Sequence, residues 1–304
     1  MSVHPGAAVV TQAKNDIDIG LLRERRRFGD GYHIVDELLY ERTENLRRFP
    51  LLWKAITSCC LPMVKYQEAV DWADRLGPCD ADEAHRRFAD YLALDVRVTG
   101  LEHVPKDGRL LVVANHPTGI VDALAVHAAI GDIRPDARYF SNRDLVRIVP
   151  QLRDFVIPLE WLRRRRTPSA LRETLEASIQ AFNENRAVVI FPGGGIARGS
   201  LSGLKELEWL TATVKLMRRY RAPALPVHIR ARNSWLYYAL EAIHPEVRDL
   251  VRFREILRKR HQRFDLTIGP AIRPEEIAGT LDEATAALQS YVQHDLGNGR
   301  PRRF

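Results

Sequence analysis

The chain has 304 residues, 45% of them hydrophobic, which suffices for one large α/β domain with an appendage or for two small domains. A formal net charge of +7 and a pI near 9.5 favour partners that carry phosphate (nucleic acid, an anionic lipid surface, phosphorylated substrates), the alternative being a merely solvated basic surface. The three cysteines, Cys59, Cys60 and Cys79, include no CxxC pair, so neither a disulfide framework nor a thiolate zinc site is supported, and they read as thiols of a cytosolic protein.

Residues 1–15 read as a disordered N-terminus. They lack a basic stretch followed by an apolar one, so no signal peptide is expected. Residues 16–94 read as a helical segment. Ile34, Val35, Leu38 and Leu39 share one helix face. The apolar stretch from Phe49 to Val64 is interrupted by Lys54 and Pro62 and is too short to span a bilayer, which takes about 20 apolar residues. Phe49, Leu52, Trp53 and Ile56 would form an apolar face suited either to a membrane interface or to the protein's own core. Asp80 and Glu83 then resemble a capping box opening a helix with Ala84, Phe88, Tyr91 and Leu92 on one face.

From about Asp95 the texture changes. "DVRVTGLEHV" alternates like a half-buried strand, and "RLLVVAN" is a continuous apolar run suited to a central parallel strand. A helix is predicted over 122–130, a strand at "ARYFS", and helical structure over "RDLVRIVPQLRDF". A helix over 168–185, a strand at "AVVIFP", a helix over 205–220, and strands at "APALPVHIR" and "LTIGPAI" follow. Strands alternating with helices predict an α/β fold, with a mixed, largely parallel sheet flanked by helices and preceded by the helical segment. The α/β domain is expected over 95–290, with a basic tail over 291–304.

Two stretches carry chemistry. In "NHPTGIVD", His116 directly follows an apolar strand, and ligands of open α/β sheets bind outside the carboxyl ends of strands. Pro117 and Gly119 favour a turn, so Asp122, at or near the start of the next helix, can fold back towards the imidazole. A carboxylate on one ring nitrogen fixes the tautomer and leaves the other as a base. Equally, Asp122 can serve only as a helix cap. In "IFPGGGIARGS", a strand runs into three glycines and then Arg198. Backbone N–H groups of Gly193 and Gly194 with that arginine would make an anion cradle, a reading favoured by Arg232 lying at the end of another predicted strand; equally, the glycines can form only a turn. Neither a P-loop nor a GxGxxG fingerprint is present. No HExxH or paired-carboxylate pattern points to a metal, and the other histidines lack ligand-like spacing.

Together and in this order, the two blocks resemble the glycerolipid acyltransferase superfamily, that of 1-acylglycerol-3-phosphate acyltransferases. The wider family has His-x4-Asp. The His-x5-Asp of "NHPTGIVD" is most similar to the hemolysin-type bacterial branch, which includes acyltransferases of phospholipid and aminolipid synthesis. Phe191, Pro192, Gly194 and Arg198 match its later block, and Arg232, Asn233 and Ser234 in "LPVHIRARNS" match a third. The resemblance covers roughly 95–275. One departure stands out: Gly193 lies where the wider family has glutamate, and Gly195 where the branch has it, so on either alignment that block lacks its carboxylate.

The resemblance implies an O-acyltransferase that moves a fatty acyl group from acyl-CoA or acyl-carrier protein to the hydroxyl of a lysolipid such as 1-acylglycerol-3-phosphate or a lyso-aminolipid. His116 would be the base and Asp122 its orienting group. Thr118, Gly119, Gly193, Gly194, Arg198, Arg232 and Asn233 would contact substrate. No cofactor or metal is implied beyond the thioester co-substrate, and no nucleic acid is expected as a partner. A lysolipid acceptor places the protein in the cytoplasm, peripheral to the inner membrane. Basic clusters at 23–28, 163–166, 217–221 and 252–264 suit an anionic membrane surface. The alternatives are a non-catalytic basic lipid-binding protein on the same scaffold and an acyl-thioester hydrolase.

Overall fold

The structure, a computed structural model, describes residues 33–60, 65–200, 203–299 and 304. The expectations for residues 1–15, for the basic run 23–28 and for most of the tail's end lie outside the described residues.

In chain order the elements are α1 (Ile34–Arg42), α2 (Pro50–Cys60), α3 (Tyr66–Leu76), α4 (Ala81–Leu92), β1 (Asp95–Thr99), β2 (Leu110–Ala114), α5 (Ile120–Ile130), β3 (Arg138–Asn142), α6 (Asp144–Ile148) and β4 (Val156–Leu159). There follow α7 (Pro168–Asn183), β5 (Ala187–Ile190), β6 (Arg198–Ser200), β7 (Gly203–Lys205), α8 (Ala212–Tyr220), β8 (Ala224–Arg230), α9 (Trp235–Ile243), α10 (Pro245–Leu250), α11 (Arg252–Leu257), β9 (Arg263–Ile268) and α12 (Leu281–Ser290). They form two compact units that do not follow chain order. One takes residues 1–79, 147–149 and 234–258; the other takes 80–146, 150–233 and 259–304.

The first unit is helical and held by buried or half-buried ion pairs. His33 caps α1, its Nδ1 accepting from Val35 N at 3.2 Å. Arg147 reaches Glu37 and Glu41 of α1 at 2.8 and 2.9 Å. The Glu246 carboxylate accepts the Asn45 and Leu46 amides at 3.1 and 2.8 Å. On α2 and just before it, Phe49, Leu51 and Leu52 are exposed, whereas Trp53 is buried. The four-residue apolar face read from the sequence is thus split: Phe49 and Leu52 face outwards and Trp53 does not. The Ile56 side chain lies outside the described residues.

The second unit is built on a seven-stranded sheet of order β1-β9-β8-β2-β5-β3-β4. Every pairing is parallel except β8 with β9. The mixed, largely parallel sheet flanked by helices is therefore present. The wholly buried run Leu110–Ala114 lies between β5 and β8, as a strand covered on both faces must. One face packs Leu111, Val113 and Val188 against Phe182 of α7, Val214 and Met217 of α8, and Leu288 of α12. Thr167 caps α7 from its hydroxyl, with Pro168 in the first turn.

One strand is added and one expectation changes. "FVIPL", for which no element was predicted beyond Phe155, contributes an edge strand, β4. The helix predicted over 205–220 begins only at Ala212. Before it, Arg198–Ser200 and Gly203–Lys205 pair as an antiparallel hairpin. Residues 206–210 stay non-helical because their backbone groups are bonded elsewhere. Trp209 N donates to Gln289 Oε1 at 3.1 Å, Gln289 Nε2 donates to Leu207 O at 2.9 Å, and Leu210 N donates to Pro192 O at 3.1 Å. Tertiary bonds override a good local propensity here.

One side chain ties the end of β2 to β8. Buried Asn115 donates from Nδ2 to Ile229 O at 2.9 Å and accepts Ile229 N–H on Oδ1 at 2.6 Å. Asn115→Leu leaves both Ile229 groups unpaired. The expected loss is about 1–3 kcal/mol of unfolding free energy, read from the urea midpoint; an unchanged midpoint contradicts the assignment.

Candidate active site

The site lies at the carboxyl ends of β2 and β5, the edge where open α/β sheets bind ligands. The register pairs Val113 with Ile190, so the chain leaving β2 and the chain leaving β5 emerge side by side. His116 and Phe191 then stack, with ring centroids 4.3 Å apart and planes 26° from parallel. His116 remains accessible, its side chain 17% exposed beside a fully buried Asp122.

Asp122 sits in the first turn of α5, and its carboxylate does two jobs at once. Oδ2 accepts the amides of Thr118 at 2.9 Å and Gly119 at 3.0 Å, and Oδ1 accepts the Thr118 hydroxyl at 2.5 Å. The same Oδ2 faces His116 Nδ1 at 3.0 Å. The two roles that spacing alone left open, helix cap and imidazole partner, are filled by one atom. The turn between them needs a glycine. Gly119 has φ +102°, and a Cβ there would meet Ile196 Cδ1 at 2.9 Å. Nδ1 therefore lies against the Asp122 carboxylate, in ion-pair range but without a well-formed hydrogen bond, and Nε2 is the ring nitrogen turned away from Asp122.

The 191–210 stretch brackets the main chain of His116. Ala197 N donates to His116 O at 2.9 Å, and His116 N donates to Glu206 Oε1 at 3.0 Å. Burial pushes the Glu206 carboxyl up to about 7, and the neighbouring Asp122 charge adds to the rise; His116 and the Trp209 indole pull the other way. Sequence reading passed over Glu206. It sits in "GLKELEWL" with no motif of its own, and the only signal was the carboxylate missing from positions 193 and 195.

The structure brings His116, Thr118, Gly119 and Asp122 together with the glycine turn. Within that turn Gly194 N donates to Phe191 O at 3.1 Å, so this amide, read as part of an anion cradle, already has an acceptor. Arg198 is exposed on β6, next in the chain to Ala197. Arg232 is exposed beyond the end of β8, and its carbonyl receives Lys259 Nζ at 2.6 Å and Gln262 Nε2 at 3.0 Å. Asn233 beside it is buried.

Residues 95–230, from β1 to the end of β8, match the family described as Acyltransferase. Over this stretch the chain is similar to acyltransferases. Among curated proteins, it is 29% identical over 190 residues to a lyso-glycine lipid O-acyltransferase of Phocaeicola vulgatus; the match covers 60% of this chain and 66% of that protein, just under two thirds. It is 25% identical over 249 residues to a lyso-glycine lipid O-acyltransferase of Bacteroides thetaiotaomicron, covering 78% and 87% of the two chains. Among solved structures, the crystal structure of the 1-acyl-sn-glycerophosphate acyltransferase PlsC from Thermotoga maritima matches with a TM-score of 0.47 and 19% identity, covering 86% of this chain and 99% of that one. The matched residues 95–230 contain both blocks of the site, the one that holds His116 and Asp122 and the one that holds the glycine turn.

A carboxyl raised from 4.5 to about 7 in the fold contributes stability that is fully present below the unfolded value and lost as pH rises through the folded one. Glu206→Gln removes this loss and keeps an acceptor for the His116 amide. The variant is expected to be more stable than the parent at pH 8–9, by about 1–3 kcal/mol, and to lose that advantage near pH 4. Denaturant unfolding at the two pH values measures it; an advantage independent of pH contradicts the assignment.

Proposed function

We propose that this protein transfers a fatty acyl group from an acyl-thioester, acyl-CoA or acyl-carrier protein, to the hydroxyl of a lysolipid. The observation that carries the reading is the His116–Asp122 pair, built at the strand ends inside the acyltransferase match. In this reading Nε2 of His116 takes the proton of the acceptor hydroxyl as its oxygen attacks the thioester carbonyl. Asp122, facing Nδ1, holds the imidazole in orientation and balances the imidazolium that forms. Collapse of the tetrahedral intermediate breaks the carbon–sulfur bond, and the thiolate leaves with the proton that His116 carries. The histidine returns to its starting state without a covalent enzyme intermediate.

The acceptor class follows from the names of the relatives, which act on lyso-glycine lipids, and from the resemblance to lysophosphatidate acyltransferases. Both acceptors offer a free hydroxyl on an anionic lipid. Exposed Arg198 and Arg232 supply cations suited to such head groups. Such an acceptor sits in a bilayer, so the enzyme works at a membrane surface. No helix among the described residues is long and apolar enough to cross a membrane. Within the helical unit, Phe49, Leu51, Leu52, Trp235 and Ile243 are exposed. These side chains suit insertion into the interface, with the basic clusters attracting anionic lipid.

The test is thiol release from palmitoyl-CoA, and from palmitoyl-acyl-carrier protein, with and without lysophosphatidic acid or lyso-glycine lipid. Release is expected only with an acceptor. His116→Ala and Asp122→Asn are each expected to lower kcat/KM by about 10²–10⁴, with unfolding still cooperative. Acceptor-independent release would indicate a hydrolase. Binding to anionic vesicles with no turnover on any pair would indicate a lipid-binding protein.

A further inference from the structure

We propose that Glu206 is a positioning carboxylate for His116, standing in the space that a side chain at residue 193 would otherwise fill; the proposal rests on the acyl-transfer reading above. The geometry comes from two sides. Glu206 Oε1 accepts the His116 amide at 3.0 Å. A Cβ built on Gly193 would point at the same oxygen, 3.2 Å away, with Leu207 Cβ next at 3.4 Å. Gly193 is not among the positive-φ glycines, so its φ does not by itself call for glycine. A side chain there would press on the carboxylate already present, which would have to give by a few tenths of an ångström. The glycine block leaves a gap at the strand end, and the far side of the β6–β7 hairpin fills it.

The consequence for His116 is specific. Its carbonyl is tied to Ala197, its amide to Glu206, its ring face to Phe191, and its Nδ1 faces Asp122. Glu206 is the only one of these ties, among the described residues, that joins His116 to the segment just before α8. The titratable groups acting on Glu206 are His116 from the end of β2 and Asp122 from α5. In its charged form Glu206 favours the imidazolium that forms during proton transfer. It acts through His116 and needs no contact with substrate.

The experiment compares wild type, Glu206→Gln, Glu206→Gly and the double variant Gly193→Glu with Glu206→Gly. Thiol release from palmitoyl-CoA with lysophosphatidic acid or lyso-glycine lipid is followed at pH 8, and melting temperatures verify folding. Glu206→Gln, of equal size but uncharged, is expected to lower kcat by about 10–10²-fold with KM little changed. The double variant, which supplies a carboxylate from the other side of the gap, is expected to regain most of what Glu206→Gly loses. A Glu206→Gln enzyme within about twofold of wild type overturns the proposal, as does a folded double variant no better than Glu206→Gly. The second arm needs no turnover. The Glu206 carboxyl is followed by ¹³C NMR in labelled protein and identified by its loss in Glu206→Gln. A midpoint near 7 that rises further in His116→Ala, where the imidazole's downward pull is gone, is the expected result. A midpoint that does not move shows no coupling and overturns the proposal. A wild-type enzyme silent on every donor and acceptor sinks the acyl-transfer reading instead, and the NMR arm then decides on Glu206 alone.

Discussion

A fully buried carboxylate is the constraint on which this site depends. Taking Asp122 out of water is costly unless its oxygens are satisfied. Two amides and one hydroxyl donate to them, and the His116 imidazole lies 3.0 Å from one of them. Those donors lie within the short turn after β2, so the turn has one shape. The shape demands φ +102° at residue 119, which only glycine takes without strain. It also sets the start of α5, because the capping carboxylate is the one that faces the His116 imidazole. Helix geometry and imidazole orientation are one structural fact.

Around this fixed point the molecule places two carboxyl groups in opposite conditions. Asp122 collects donors from its own turn. Glu206 has a single backbone donor, and burial raises it to about 7. Two carboxylates near one histidine, held in different environments, divide their roles by environment rather than by residue type. The group that costs stability when ionised is the one poised to respond near neutral pH.

Much of this was legible in the sequence. Apolar runs such as "LLVVA" report strands covered on both faces, because burial forces their composition. "NHPTGIVD" reports the site because turn residues, a strand end and a carboxylate sit in register. What escaped was decided by distant parts of the chain. The stretch 206–210 has helical composition, yet Gln289 of α12 and Pro192 take its backbone bonds. Glu206 is one of two glutamates in "KELEW", and nothing local separates them. Its partner is His116, ninety positions away. The segment 234–258 packs with the N-terminal helices, through bonds such as Glu246 to Asn45 that no periodicity encodes.

The stack of His116 on Phe191 has one more consequence. An imidazole lying flat on a phenyl ring, with one nitrogen turned to Asp122, offers its other nitrogen in a single direction. A hydroxyl that reaches that nitrogen must come in along the ring plane. In the proposed transfer, the stack therefore restricts the approach from which an acceptor hydroxyl can deliver its proton to His116.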